Sequence, residues 1–321
     1  MKLMLLPPSH LAFGLLIFIS SVVSAQQYPT STIHQRDNDK ATLYTRYYDA
    51  KKVSTPEQQR VAYELAQQYL KEFGSDNDKY AEAVKKFVVA YERALREFEL
   101  NRLFVAKNYA KVFEDGTAML AKDPEHYFAM GQIAQAGYEL ARAGDVSRNK
   151  QTIEHARHAL KLLDSGTVTK ADPFKDLNAA KGFLHFVVGW MLRTEAPAEA
   201  AAELRKSVEQ ESPFKADPGV YTLLGALIIK GDYEPKAAAY NDKYGNKPAS
   251  PEQQAALNEL DQVGARAVDA YARAVALTKP EQTEMKNKLL TQLTALYKSF
   301  HNESEAGLSE LVASVLSKPL P

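Results

Sequence analysis

The sequence contains no cysteine, and its 40 basic residues balance its 40 acidic ones. The absence of cysteine excludes disulfides, thiolate metal sites and cysteine nucleophiles. The zero formal net charge excludes the overall positive field that drives nucleic-acid binding, so we expect no nucleic-acid partner. β-Branched runs that would indicate strands occur only inside longer helical patterns. What remains, 45% hydrophobic and 25% charged residues, is typical of a chain that buries a core.

The first apolar run lies near the N-terminus. Lys2 is the only charged residue of residues 1–25, an apolar run covers residues 11–23, and Ala25 precedes a polar stretch. This order is typical of a signal peptide that is cleaved after Ala25. The run of about 13 residues is shorter than the roughly 20 that a spanning helix needs, although a retained anchor is the alternative. We therefore expect a periplasmic or secreted protein with no integral membrane segment in the mature chain.

Helical periodicity dominates the rest of the chain. Residues 26–54 begin with a stretch rich in Gln, Ser, Thr and Asp, so we expect a flexible polar leader. Thr55 and Ser250 each precede Pro and Glu, an order that favours the start of a helix. Apolar side chains then recur at steps of three and four, first within residues 61–73. The sequence therefore predicts one all-α domain over residues 55–321.

Four predicted helix pairs share one plan, which is clearest at residues 221–225, Tyr-Thr-Leu-Leu-Gly, before a Gly-Asp-Tyr turn at 231–233. Glycine leaves room where the second helix crosses the first, and the bulky neighbours fill the space on either side. The triplet Pro-Phe-Lys occurs at 173–175 and at 213–215, each time just before a new first helix. These patterns resemble the tetratricopeptide repeat, over about residues 80–280.

The resemblance implies a tetratricopeptide-like α-α superhelix, a solenoid of helical hairpins with capping helices at 56–73 and 282–318. An insertion separates the last second helix from its partner, so the register of residues 233–262 stays open. Such a superhelix implies partner binding on the concave face formed by the first helices. Counted along three first helices, the predicted partner-binding residues are Gln135, Tyr138, Glu139, His185, Leu192, Arg193, Ile229 and Lys230.

Compact catalytic signatures are missing from the sequence, including Gly-rich phosphate loops, a nucleophile elbow and His-Glu-x-x-His. Ser147 and Lys150 have the spacing of an acyl-enzyme pair, but the companion Lys-Thr-Gly motif is missing. His155 and His158 are close enough on a helix to share a metal, but no carboxylate on that helix completes the site. We therefore expect no enzyme activity, no cofactor and no metal site.

The leading hypothesis is a non-catalytic scaffold of the bacterial cell envelope that binds a protein or peptide through its concave face. The alternative is a small-molecule-binding or hydrolytic helical protein with a pocket near His185 and Trp190, the only tryptophan. A third hypothesis is homo-oligomerisation through an apolar stripe near the C-terminus, although the same stripe is suited to capping the solenoid. The stripe consists of Leu308, Leu311, Val312, Val315 and Leu316.

Overall fold

A computed structural model describes residues 33–245 and 247–321, so the predicted signal peptide over residues 1–25 lies outside the described residues. Within the described ranges the regular structure is helical and no strand occurs, which confirms the all-α prediction. The α-helices are α1 Ile33–Lys52, α2 Pro56–Phe73, α3 Lys79–Val105, α4 Tyr109–Leu120, α5 Tyr127–Arg142, α6 Asn149–Asp164, α7 Leu177–Leu192, α8 Pro197–Glu209, α9 Pro218–Ile228, α10 Glu234–Tyr244, α11 Pro251–Leu277, α12 Thr283–Phe300 and α13 Leu308–Ser314. Across these ranges, no helix has the length and apolar content needed to cross a membrane.

The chain forms two compact units, where we predicted a single domain over residues 55–321. The first unit ends at Phe98, and the second is Glu99–Pro321, so the boundary falls inside α3. The physical reason is visible along α3, because residues 93–96 are all exposed. The buried side chains accordingly form two separate cores, one on each side of this stretch.

The first unit contains α1, which lies where we predicted a flexible leader over residues 26–54. Its Leu43, Tyr47 and Ala50 follow steps of four and three, and they are buried where α1 packs on α2. Asp76 accepts hydrogen bonds from Arg36 and Lys40 at 2.7 and 2.5 Å. A short apolar stripe and two basic side chains thus fold this segment, although its composition is mostly polar. Residues 26–32 lie outside the described residues.

The second unit is built from helices that pack against their neighbours in the chain. Each helix from α4 to α8 contacts the next one, α9 contacts α11, and α11 contacts α12, while α5 also contacts α7. Helices α7 and α8 run antiparallel: the Gly182 carbonyl accepts a hydrogen bond from Ser207 at 2.7 Å at one end, and Gly189 lies against Ala200 at the other. We call α5, α7 and α9 the first helices, and α6, α8 and α11 the second helices.

The predicted capping helix over residues 282–318 consists of two helices. α12 ends at Phe300, and α13 begins at Leu308, after Gly307 in a left-handed conformation with φ of 88°. In the apolar stripe, Leu308 and Val315 are buried, and Leu311 and Val312 pack against the core of the second unit. Only Leu316 of the stripe is largely exposed, so the stripe closes this core within the chain and offers little apolar area to a second copy.

Candidate protein-interaction face

A glycine lies at each crossing between a first helix and its second helix. These residues are Gly137 in α5, Gly189 in α7 and Gly225 in α9. A Cβ atom would lie 2.1 Å from Thr152 Oγ1 at Gly137, 2.9 Å from the Ala200 carbonyl oxygen at Gly189, and 2.7 Å from the Tyr271 ring at Gly225. Real Cβ atoms essentially never approach another heavy atom within 3.0 Å. The three helix pairs therefore cross this closely only because no side chain stands between them.

These glycines give the first helices a common register. The position one residue after the glycine is Tyr138 in α5, Trp190 in α7 and Ala226 in α9. Arg142 ends α5, Arg193 directly follows α7, and Ile229 and Lys230 begin the π-helical turn Ile229–Tyr233 that follows α9. The contact between Tyr138 and Trp190 shows that this register brings equivalent positions of α5 and α7 together. We use the name front face for seven residues at or near these positions, namely Tyr138, Arg142, Trp190, Arg193, Ala226, Ile229 and Lys230.

Trp190 lies at the centre of the described contacts of the front face. Its half-buried ring meets the buried Tyr138 ring edge-on, with centroids 5.2 Å apart. The Arg193 guanidinium carbon lies 3.7 Å from the Trp190 ring centroid, and Arg193 donates a hydrogen bond to the Trp190 carbonyl at 2.5 Å. Arg142 lies over Tyr138 at 5.7 Å and pairs with Glu139 at 3.1 Å. Two guanidinium groups are therefore placed on two adjoining aromatic rings.

The charges of the front face are only partly compensated. Burial lowers the pKa of the Arg193 guanidinium and raises that of the Tyr138 hydroxyl. Among the described residues, neither Arg193 nor the exposed Lys230 makes an ion pair with a carboxylate. An arginine that is partly desolvated and has no counterion gains most from an anionic ligand, because a charge-assisted hydrogen bond replaces the lost hydration.

Two predicted residues of α7 lie off this face. His185 Nδ1 lies 2.7 Å from Glu203 Oε2 of α8, and Lys206 donates to the other oxygen of Glu203 at 2.9 Å. His185 precedes Gly189 by four residues, as Tyr221 precedes Gly225, so both side chains take the position that packs on the second helix. Leu192 follows Gly189 by three residues, as Ile228 follows Gly225, so Leu192 also lies off the front face. The predicted register on α7 began one residue too early.

The predicted residues of α5 lie on the front face or beside it. Tyr138 lies on the front face, while Gln135 and Glu139 flank it and are half-buried. The preceding turn of α5 is covered, because a Cβ at Gly131 would lie 2.8 Å from the ring of Pro173. The predicted residues Ile229 and Lys230 lie just past α9, at the start of the π-helical turn Ile229–Tyr233, where Ile229 is half-buried and Lys230 is exposed.

The repeated Pro-Phe-Lys triplets fill one end of the first-helix layer. Phe174 lies 5.4 Å from Phe183, and Phe214 stacks on Phe186 with ring centroids 4.7 Å apart. Phe186 in turn contacts Tyr138 at 5.4 Å, so the aromatic cluster extends to the front face. The phenylalanines of the two triplets therefore pack against the first helices, close to the start of α7 and of α9.

No protein-family model, curated protein or solved structure matches this chain. The two residues of the alternative hypothesis have different neighbours, since His185 contacts Glu203 of α8 and Trp190 contacts Tyr138 of α5. In the described ranges no group of three or more His, Asp or Glu side chains is arranged to hold a metal, and this includes the surroundings of His155 and His158.

Proposed function

We propose that the second unit is a tetratricopeptide-like superhelix whose front face binds a segment of another protein, as a non-catalytic scaffold of the bacterial cell envelope. The observation that carries the proposal is the repeated glycine register, which sets Tyr138 and Trp190 side by side on successive first helices. Repeated hairpins of this kind support extended binding surfaces rather than catalytic pockets.

The chemistry of the front face favours a partner segment that carries carboxylates. Arg193 and Lys230 supply positive charge without an internal counterion, and Trp190 and Ile229 supply half-buried apolar area. Tryptophan and arginine are the residue types that most often dominate binding energy in protein interfaces. A carboxylate on Arg193, with an apolar side chain beside it on Trp190, satisfies both requirements.

Export is part of the proposal and rests on the composition of residues 1–25 alone. Its test is the intact mass of the protein isolated from the envelope fraction. We expect a mature chain that begins at Gln26, and a chain that retains Met1 in the cytoplasmic fraction would contradict export.

The binding proposal is tested by charge reversal on the front face. Purified protein is used to capture partners from envelope extracts, and wild type is compared with Arg193→Glu/Lys230→Glu. A matched control, Lys279→Glu/Lys288→Glu, makes the same charge change at exposed positions elsewhere in the second unit. We expect the front-face variant to lose its partner by about 30-fold or more, which corresponds to a hot spot of about 2 kcal/mol. Equal capture by both variants would remove the front face as the binding site.

Folding of the charge-reversal variants is checked by thermal melting. Lys230 is exposed and Arg193 is half-buried, so both side chains can be exchanged without opening the core. If the front-face variant melts like wild type and still loses its partner, the loss is due to weaker binding and not to unfolding.

A further inference from the structure

A second recognition element lies at the buried Arg273 of α11. Arg273 is 5% exposed, and its Nε donates to Asp269 at 2.6 Å. Its Nη2 donates to two successive main-chain carbonyls, those of Lys318 at 2.9 Å and of Pro319 at 2.8 Å. The next carbonyl, that of Leu320, accepts from Arg205 of α8 at 3.4 Å. Two arginines from neighbouring second helices thus hold three consecutive carbonyls.

The segment that they hold, residues 318–321 (Lys-Pro-Leu-Pro), is called the strap. Lys318 has extended backbone angles, φ of −105° and ψ of 150°, and the two prolines keep the segment out of a helix. Lys318, Pro319 and Pro321 are exposed, and only Leu320 is half-buried. The strap is therefore held mainly by arginine contacts to its backbone and by one apolar side chain.

The surface beneath the strap is a groove between α8, α9 and α11. Leu320 and Pro321 line a pocket of about 130 Å³ together with Ala201, Leu224 and Ile228, among others. A wider groove of about 740 Å³ continues beside Pro321, and its charged lining residues are Arg205, Asp232, Lys236, Glu259 and Arg266. Leu320 and Pro321 thus form part of the pocket wall, and Arg205, Asp232 and Arg266 line both the pocket and the wider groove.

We propose that this groove is a docking site for an extended, proline-containing segment of another protein, and that the strap occupies it as an intramolecular competitor. The groove recognises the backbone through Arg273 and Arg205, so the requirement on the ligand is an extended chain with accessible carbonyls. Proline favours that conformation and lowers the entropy cost of binding. The core surface on which Leu320 packs selects one apolar side chain, and the small pocket lies beside it.

The competition has a calculable size. A segment tethered by a short linker acts at an effective concentration in the millimolar range. For a free segment that binds the empty groove with a dissociation constant of about 100 μM, the strap weakens apparent binding by about ten-fold. Opening the strap therefore increases binding of the external segment, while the groove itself is unchanged.

The experiment uses the full-length chain and a fluorescein-labelled peptide with the sequence of residues 317–321, Ser-Lys-Pro-Leu-Pro. Leu320→Asp removes the apolar anchor of the strap and leaves both arginines in place. We expect this variant to bind the peptide at least about ten-fold more tightly than wild type, measured by fluorescence anisotropy. A peptide with Asp in place of Leu is expected not to bind, and Arg205→Ala in the Leu320→Asp chain is expected to weaken binding several-fold.

The proposal is overturned if the Leu320→Asp chain melts like wild type and binds no peptide, or if wild type and variant bind equally. Should Leu320→Asp unfold, the double variant Ala201→Cys/Leu320→Cys provides the second test. The chain has no other cysteine, so a short thiol-reactive linker joins these two positions specifically and holds the strap in the groove. The cross-linked protein is expected not to bind the peptide, and binding that survives cross-linking overturns the proposal. The variant Arg193→Glu, at a position that does not line the groove, is expected to bind the peptide like its parent.

Discussion

The glycine register makes a sharp prediction at Gly225, where valine must meet the ring of Tyr271. A Cβ at this position would lie 2.7 Å from Tyr271 Cδ2, so either the ring moves or α9 shifts away from α11. Overpacking of this kind costs about 1–3 kcal/mol, and valine recovers only about 0.4 kcal/mol of helix propensity relative to glycine. We therefore expect Gly225→Val to lower the free energy of unfolding of the second unit by about 2 kcal/mol.

The control is next to it in the chain. Ala226 is exposed on α9, so Ala226→Val introduces the same side chain without a clash and is expected to lower stability only by its helix-propensity cost of about 0.6 kcal/mol. Trp190 is the only tryptophan and lies in the second unit, so urea unfolding followed by its fluorescence reports on that unit alone. In a thermal melt, the loss of about 2 kcal/mol expected for Gly225→Val corresponds to a midpoint lower by about 4–8 °C.

A double-mutant cycle separates packing from other causes. Tyr271→Ala opens a space beside position 225, so Gly225→Val/Tyr271→Ala is expected to be more stable than the sum of the single changes by at least about 1 kcal/mol. If Gly225→Val is as stable as wild type, or if the two changes are additive, close packing at this glycine is not what joins α9 to α11, and the shared register loses its basis.

Three further predictions concern other parts of the chain. Burial alone raises the pKa of the Glu203 carboxyl, but hydrogen bonds from His185 and Lys206 outweigh it and hold that pKa below its ordinary value. Glu203→Gln is therefore expected to destabilise the second unit above about pH 5, and the difference fades as the pH falls and the wild-type carboxyl takes up its proton, measured by urea unfolding at pH 3 and 6. In the first unit, hydrogen bonds from Lys40 and Arg36 lower the pKa of Asp76, so Asp76→Asn is expected to speed amide hydrogen exchange in α1 at pH 6, whereas the exposed-site control Asp49→Asn leaves it unchanged. Gly307→Ala forces an alanine into a left-handed conformation and is expected to cost about 1 kcal/mol, seen as a lower urea midpoint, and an unchanged midpoint would contradict the assignment of that turn.

Local signals in the sequence predict helix starts well. Thr55 and Ser250 accept hydrogen bonds from the backbone N–H of Gln58 and Gln253, so α2 and α11 begin where the caps indicate. Capping is decided within one turn of the chain, and no distant contact is needed to read it.

The register of the first helices could not be read in the same way. Gly225 stands out because Leu224 precedes it, whereas Gly137 follows Ala136 and Gly189 follows Val188, so neither has the expected neighbour. What makes these three positions equivalent is the second helix that crosses at each of them, a contact between residues far apart in the chain. Without that contact, the count on α7 began one residue early, at Leu184, and passed over Trp190.

The division into two units and the strap also depend on distant contacts. From composition alone the segment of α1 is predicted to be a polar leader, and only the contacts of Tyr47 in the core shared with α2 show that it folds. Residues 318–321 carry no helical signal, and their role rests on Arg273, which is 45 residues from Lys318 in sequence. No sequence pattern links the prolines of the strap to an arginine so far away in the chain.

Site-specific photo-crosslinking in living cells tests the central claim most directly. A photoreactive amino acid is placed at Ala226, which is exposed on the front face, and for comparison at Lys288 on α12, which is also exposed. The account predicts that Ala226 captures one partner protein that Lys288 does not, and that Arg193→Glu/Lys230→Glu abolishes the capture. Capture of the same protein from both positions, or capture that survives the charge reversal, would contradict it.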